Sequence, residues 1–204
     1  MAADPRDLCT VAQVRAARQT VASDTSQDVL VQDYITDASV LLMAEFEQEW
    51  APTTASAARV FEYPWRGEIL DLAPYALRTV TSVVVDSDQG AGMTISTDEW
   101  RLEPKPAKDG VYTAIRLRPF SAALGKNVWR DREVTITGAW GYATIPLEAK
   151  RAGVLTVIHW LNINTATVAF DDDTMDSYQP PKRGIPNEAR EMLRRFKRGT
   201  VYVA

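Results

Sequence analysis

"GAWGYATIPLEAKRAGVLTVIHWL", residues 138 to 161, decides the fold. It leaves a β-like run, Val134 to Thr137, in which apolar Val134 and Ile136 alternate with Thr135 and Thr137. Two glycines then sit among aromatics: Gly138, Trp140, Gly141 and Tyr142. Glycine reaches backbone conformations closed to other residues, so Gly138 and Gly141 are expected to turn the chain sharply, with Trp140 and Tyr142 packing the corner. Pro146 fits the first turn of a helix, where N–H groups lack partners anyway. A helix is expected from Pro146 to about Asn162, with Leu147, Val154, Leu155, Ile158 and Leu161 on its apolar side. The stretch therefore joins a strand with one wet face to a core helix.

Upstream of this junction the period first belongs to helices. "TVAQVRAAR" opens with Thr10 and, three residues on, Gln13, the capping-box spacing, so a short helix should start at Val11. A second should run from about Gln27 to Glu49, because Val31, Ile35, Ala38, Leu42 and Phe46 recur at three- and four-residue steps. Asp33, Asp37 and Glu47 fall on the opposite side. From residue 58 the period shortens. "ARVFEYP", "GEILDL", "TVTSVVVDS", "DEWRLEP", "TAIRLRP" and "REVTITGAW" are short β-like runs divided by Pro, Gly or Asp clusters. Ile115 and Leu117 alternate with Arg116 and Arg118, the mark of an antiparallel sheet with one solvated face.

After the junction, "NTATVAFDDDTMDSYQPPKR" reads as an exposed loop. Pro186 should open a last helix, "PNEAREMLRRFKR", with Gly199 as its stop, and "TVYVA" follows as a β-prone tail. The order is helix, helix, strands, helix, loop, helix, tail. This is an α+β chain: about four bundled helices, an inserted antiparallel β region and an extended C-terminal tail. The expected division is a core over 1–166, with helices in 10–50 and 146–163 around a β insertion at 58–142, followed by loop, basic helix and tail over 167–204.

Charge is unevenly spread. Residues 1–50 hold nine acidic side chains against three arginines, a net of −6, while residues 182–198 hold seven bases against two glutamates, a net of +5. Opposite ends of opposite sign suit an oppositely charged partner or head-to-tail contact between copies. Arg190, Arg194, Lys197 and Arg198 would share one side of the last helix. With Phe196 the only aromatic there and no helix-turn-helix before it, that helix does not read as a sequence-specific DNA reader.

Chemistry has little material. His159 is the only histidine and Cys9 the only cysteine, so a disulfide framework and a multi-cysteine zinc site are excluded. No nucleophile sits in a catalytic motif. Asp171, Asp172, Asp173 and Asp176 could hold a hard cation, but without the glycine and glutamate that complete a calcium loop they read as a solvated acidic loop. "DSDQG", residues 86–90, reads as a hairpin turn. No apolar run reaches the ~18 residues that span a bilayer, and the N-terminus lacks a signal peptide's basic and apolar parts. Cytosolic synthesis, no cofactor and no enzymatic activity are the expectation.

Three stretches, in order, resemble the head–tail connector (adaptor) proteins of tailed bacteriophages. They are "SQDVLVQDYITDASVLL" (Ser26 to Leu42), "LDLAPYALRTVTSVVVD" (Leu70 to Asp86) and "VTITGAWGYATIPLEAKRAGVL", which contains the junction. Residues 97–129, the acidic loop and the basic C-terminus depart from the pattern. The resemblance implies a ring of copies, usually twelve, between the portal and the tail or stopper, made in the host cytoplasm and enclosing a channel for double-stranded DNA. It implies that His159 is scaffold. Under it, Arg190, Arg194, Arg195, Lys197, Arg198, Thr200, Val201, Tyr202 and Val203 become the expected portal-docking residues, the last four as an added strand. The acidic helical face would meet neighbouring subunits or the DNA path. The alternatives are another neck or tail-completion protein and, more distantly, a metal-dependent enzyme built on the acidic loop.

Overall fold

The computed structural model describes residues 4–19, 25–53, 55–62, 69–85, 92–105, 107–117, 120–121, 125–126, 133–168 and 184–197. The chain is α+β, as the sequence order implies, and divides into two compact units: a helical one from Met1–Glu47 with Ile145–Lys197, and a β unit over Gln48–Thr144.

In the helical unit, α1 (Val11–Arg18) starts on the expected capping box. The Gln13 N–H donates to Thr10 Oγ1 at 3.3 Å and the Thr10 N–H to Gln13 Oε1 at 2.9 Å, satisfying two of the donors that every helix start leaves over. Helix α2 (Asp28–Phe46) buries Val31, Ile35, Ala38, Leu42 and Phe46 as its spacing dictates. It stops three residues before the expected Glu49, because Glu47 turns left-handed (φ 48°) and its N–H closes on Ala44 O. Ser39 fastens the N-terminal segment to α2: its hydroxyl donates to Ile35 O at 2.7 Å and accepts the Leu8 N–H at 3.0 Å.

Helix α3 (Leu147–Val168) continues past the expected end at Asn162, taking in residues assigned above to the loop. Gly153 lets the Leu8–Cys9 segment lie against it, since a Cβ there would stand 3.2 Å from Leu8 Cβ. Val157, Trp160 and Leu161 complete a core with Val14, Val31, Tyr34 and Ile35. Trp160 meets the Tyr34 ring edge-on at 5.9 Å and donates its Nε1–H to Gly184 O at 2.9 Å.

The last helix is shorter than its sequence suggests. Helix α4 covers Asn187–Leu193 and tightens into a 3₁₀ turn over Arg194–Phe196; Lys197 is already extended. Three-residue periodicity in that turn aligns Phe196 with Leu193, and both are buried with Ala189. The helical segment ends before Gly199, the expected stop, which lies outside the described residues. Both prolines stand one place earlier than expected. Pro146 and Pro186 are N-caps whose carbonyls accept the first helical N–H groups, from Lys150 and Arg190, each at 3.1 Å.

The β unit is antiparallel throughout its described strands. One sheet has the order β1 (Ala57–Glu62), β9 (Glu133–Trp140), β3 (Leu77–Val85), β4 (Met93–Thr94). A second has β2 (Ile69–Asp71), β6 (Ala114–Leu117), β5 (Trp100–Glu103), and β7 (Phe120–Ser121) pairs with β8 (Gly125–Lys126). Strand β9 buries alternate residues along its whole length, so Val134, Ile136 and Trp140 join Phe61, Leu70, Leu77, Val83 and Ile115 in one core. On β5 and β6, Arg116 and Arg101 converge on Glu103, at 2.6 and 3.0 Å. The Arg116 hydrogen bond above all holds that carboxyl below the usual glutamate range.

Candidate functional site

The junction is a sewn corner. Strand β9 ends at Trp140, whose N–H donates to Thr53 Oγ1 at 2.9 Å while its carbonyl accepts the Thr53 N–H at 3.0 Å. Gly141 then adopts φ 72°, and its N–H donates to Ala76 O at 2.7 Å; the Tyr142 N–H donates to Trp50 O at 3.1 Å. A Cβ on Gly141 would lie 1.8 Å from Ala51 O, so both backbone conformation and space demand glycine.

Gly138 corrects the expectation. It does not turn the chain: it lies inside β9, paired with Ala57 on one side and Val80 on the other. Its role is close approach, because irregular pairing in β3 brings Thr79 O to 2.1 Å from where a Cβ would stand. Trp140 and Tyr142 are buried as expected. Trp140 Nε1–H donates to Ala57 O at 2.8 Å, and its ring is 5.8 Å from Phe61 and 5.9 Å from Tyr75. Sequence reasoning missed Arg59. Its guanidinium lies 3.5 Å from the Tyr75 ring centroid and 5.4 Å from that of Trp140, and it pairs with Glu49 at 3.1 Å. The signal was a lone cation inside the β-like run "ARVFEYP".

The basic C-terminal segment is not the four-cation stripe that an unbroken helix would make. The 3₁₀ turn resets the spacing after Leu193, and Arg198 lies outside the described residues with Thr200, Val201, Tyr202 and Val203. Two of the arginines are held by the chain itself: Arg190 by Glu45 of α2 at 3.5 Å, and Arg195 by Glu148 of α3 at 3.0 Å. Arg195 also covers the Phe196 ring at 4.6 Å. Arg194, 79% exposed, has only a 3.6 Å pairing with Glu191 one turn back in the same segment. Lys197 is exposed, and among the described residues no ion pair is recorded for it. Across the unit, Asp33 and Asp37 of α2 and Glu47 just after it are exposed, as expected.

Among the described residues, Cys9 and His159 belong to no cluster of metal-ligating groups. Cys9 is buried, and burial with the nearby Asp7 charge pushes its thiol up to about 12, so it remains protonated. His159 is half-buried in α3. Among the described residues no three His, Cys, Asp or Glu side chains are grouped to hold a metal ion, and no helix is long and apolar enough to cross a membrane. The acidic stretch Asp171 to Asp176 and the "DSDQG" turn lie outside the described residues.

No protein-family model matches the chain, and no curated protein sequence does. Solved structures do. The neck of an empty GTA particle computed with C6 symmetry matches at TM-score 0.57 and 16% identity. The virion of a native gene transfer agent (GTA) particle matches at 0.59 and 17%, and the neck of a native GTA particle computed with C12 symmetry at 0.55 and 14%. Each alignment covers 100% of this chain and 96% of the other. The chain shares its fold with chains of these GTA neck and virion structures. That shared fold takes in the α+β order read from the sequence, helices first and last with strands between.

Proposed function

We propose that this chain is a structural, non-enzymatic virion protein that forms the adaptor ring of a phage-like neck. The ring joins the portal to the tail or stopper and extends the channel through which double-stranded DNA passes. The full-length match to neck and virion chains carries this reading, because it takes in both units of the chain rather than one module. Fold alone does not assign function, so the surfaces must supply the rest. The surfaces on offer are an exposed acidic helix face and a cationic C-terminal segment, beside a buried corner fixed by backbone geometry. The work is mechanical, and copies, portal and stopper are its partners.

Within this reading, the uncharged residues Thr200, Val201, Tyr202 and Val203 dock on the portal by adding a strand to one of its sheets, with Arg198 beside them. Arg190 and Arg195 support that arm from behind by tying its base to Glu45 and Glu148. Deleting Thr200–Ala204 should abolish attachment to portal-bearing, tail-less heads while leaving the circular dichroism spectrum unchanged. Attachment by the truncated protein would overturn the docking role. Attachment of the wild-type chain only to heads that already carry an adaptor would make it a different neck or tail-completion protein.

A further inference from the structure

The outer face of α2 is unusual for a surface helix. Val29 is 66% exposed, Val40 52% and Leu30 41%. At 3.6 residues per turn, these three fall with Asp33, Asp37 and Ala44 on one arc of roughly 100°. All six are exposed, and the buried stripe lies opposite. The arc has carboxylates at its centre and branched apolar side chains around them. Helix α4 meets α2 elsewhere: Arg190 pairs with Glu45, which lies roughly 60° beyond the edge of this arc.

The complementary chemistry is on the same unit. Arg194 and Lys197 are the cations of the C-terminal segment not tied to another helix among the described residues, and exposed Met192 adjoins them. Copies in a ring larger than a pair must use two different, mutually complementary surfaces, because a self-complementary patch closes a pair instead. One patch of carboxylates rimmed by valine and leucine, and one of cations beside methionine, are such a couple.

Resting on the ring reading above, we infer that the α2 arc centred on Asp33 and Asp37 is the seat for a second copy of this chain, which inserts Arg194 and Lys197. The contact is head-to-tail. Desolvating the apolar rim strengthens the central ion pairs and fixes their register. The acidic helix face is thereby assigned to the subunit boundary, not to the DNA path.

Charge exchange tests it on the full-length chain. Asp33→Lys with Asp37→Lys, and separately Arg194→Glu with Lys197→Glu, should each reduce self-association by about tenfold or more. Association is read by sedimentation velocity and by cross-linking on portal-bearing heads. All four positions are exposed, so unchanged circular dichroism reports an intact fold. Combining both reversals should restore association. Wild-type association in either double variant, no recovery in the combined one, or a wild-type chain that self-associates neither alone nor on heads would overturn the inference. The adaptor reading fails by a different result: a chain that assembles, responds to charge exchange and never binds the portal.

Discussion

Arg59 of the β unit and the C-terminal arginines of the helical unit are used in opposite ways. In the β unit, Arg59 is enclosed: only 21% of its side chain is exposed, Tyr75 and Trp140 lie against its guanidinium, and Glu49 neutralises it. The Glu49 N–H is itself bound to Pro74 O at 2.8 Å, so the charge is built into the corner where strand β9 ends. In the helical unit, Arg190, Arg194 and Arg195 lie at the rim, 48–79% exposed, each on one ion pair of 3.0–3.6 Å. An enclosed cation holds a shape; a rim cation held by one screened pair can exchange that partner at little cost. Under the proposed function, the enclosed Arg59 serves the shape of the corner and the exposed C-terminal arginines serve contact with neighbours.

The largest way to break this contrast is at the backbone beneath the enclosed charge. Gly141→Ala places a methyl group 1.8 Å from Ala51 O at a left-handed residue. Strain and overpacking together should cost at least about 3 kcal/mol, read as a fall in the thermal midpoint or as insoluble protein. A midpoint within the error of wild type would show that the corner is not rigid. Next in size is Arg59→Met, which keeps bulk but removes the charge. It should cost about 1–3 kcal/mol in denaturant unfolding, because it forfeits the ring contacts and leaves the half-buried Glu49 without its partner. The smallest effect belongs to the rim. Arg190→Ala and Arg195→Ala should each cost about 0.2–1 kcal/mol and fade further in high salt. A rim variant that costs as much as Arg59→Met would erase the distinction between the enclosed and the exposed arginines.

Much of this was legible in the chain. The α2 stripe from Val31 to Phe46, the Thr10–Gln13 cap and the alternation of β9 are local periodicities, and burial followed them. What was not legible depends on residues distant in sequence. Gly138 resembles a turn glycine beside Trp140, yet its reason is Thr79 on a neighbouring strand. The cationic stripe of the last helix fails because Phe196 is drawn into the core, and helical spacing cannot report a shift to 3₁₀ geometry. Arg59 could be seen but not placed, since Tyr75 and Trp140 reach it only through the fold. For the candidate surfaces, the signs of the two ends were plain from composition. Which arginines are already engaged, by Glu45 and Glu148, required the packing of α4.

The central claim is that this molecule acts by fitting between other parts of a particle. Electron microscopy of portal-bearing, tail-less heads mixed with the purified full-length chain tests it most directly. The account predicts a new ring of density at the portal vertex into which both units can be fitted, with the exposed arc of α2 at a subunit boundary. Bare portal vertices at saturating protein, or density confined to the capsid surface, would contradict it.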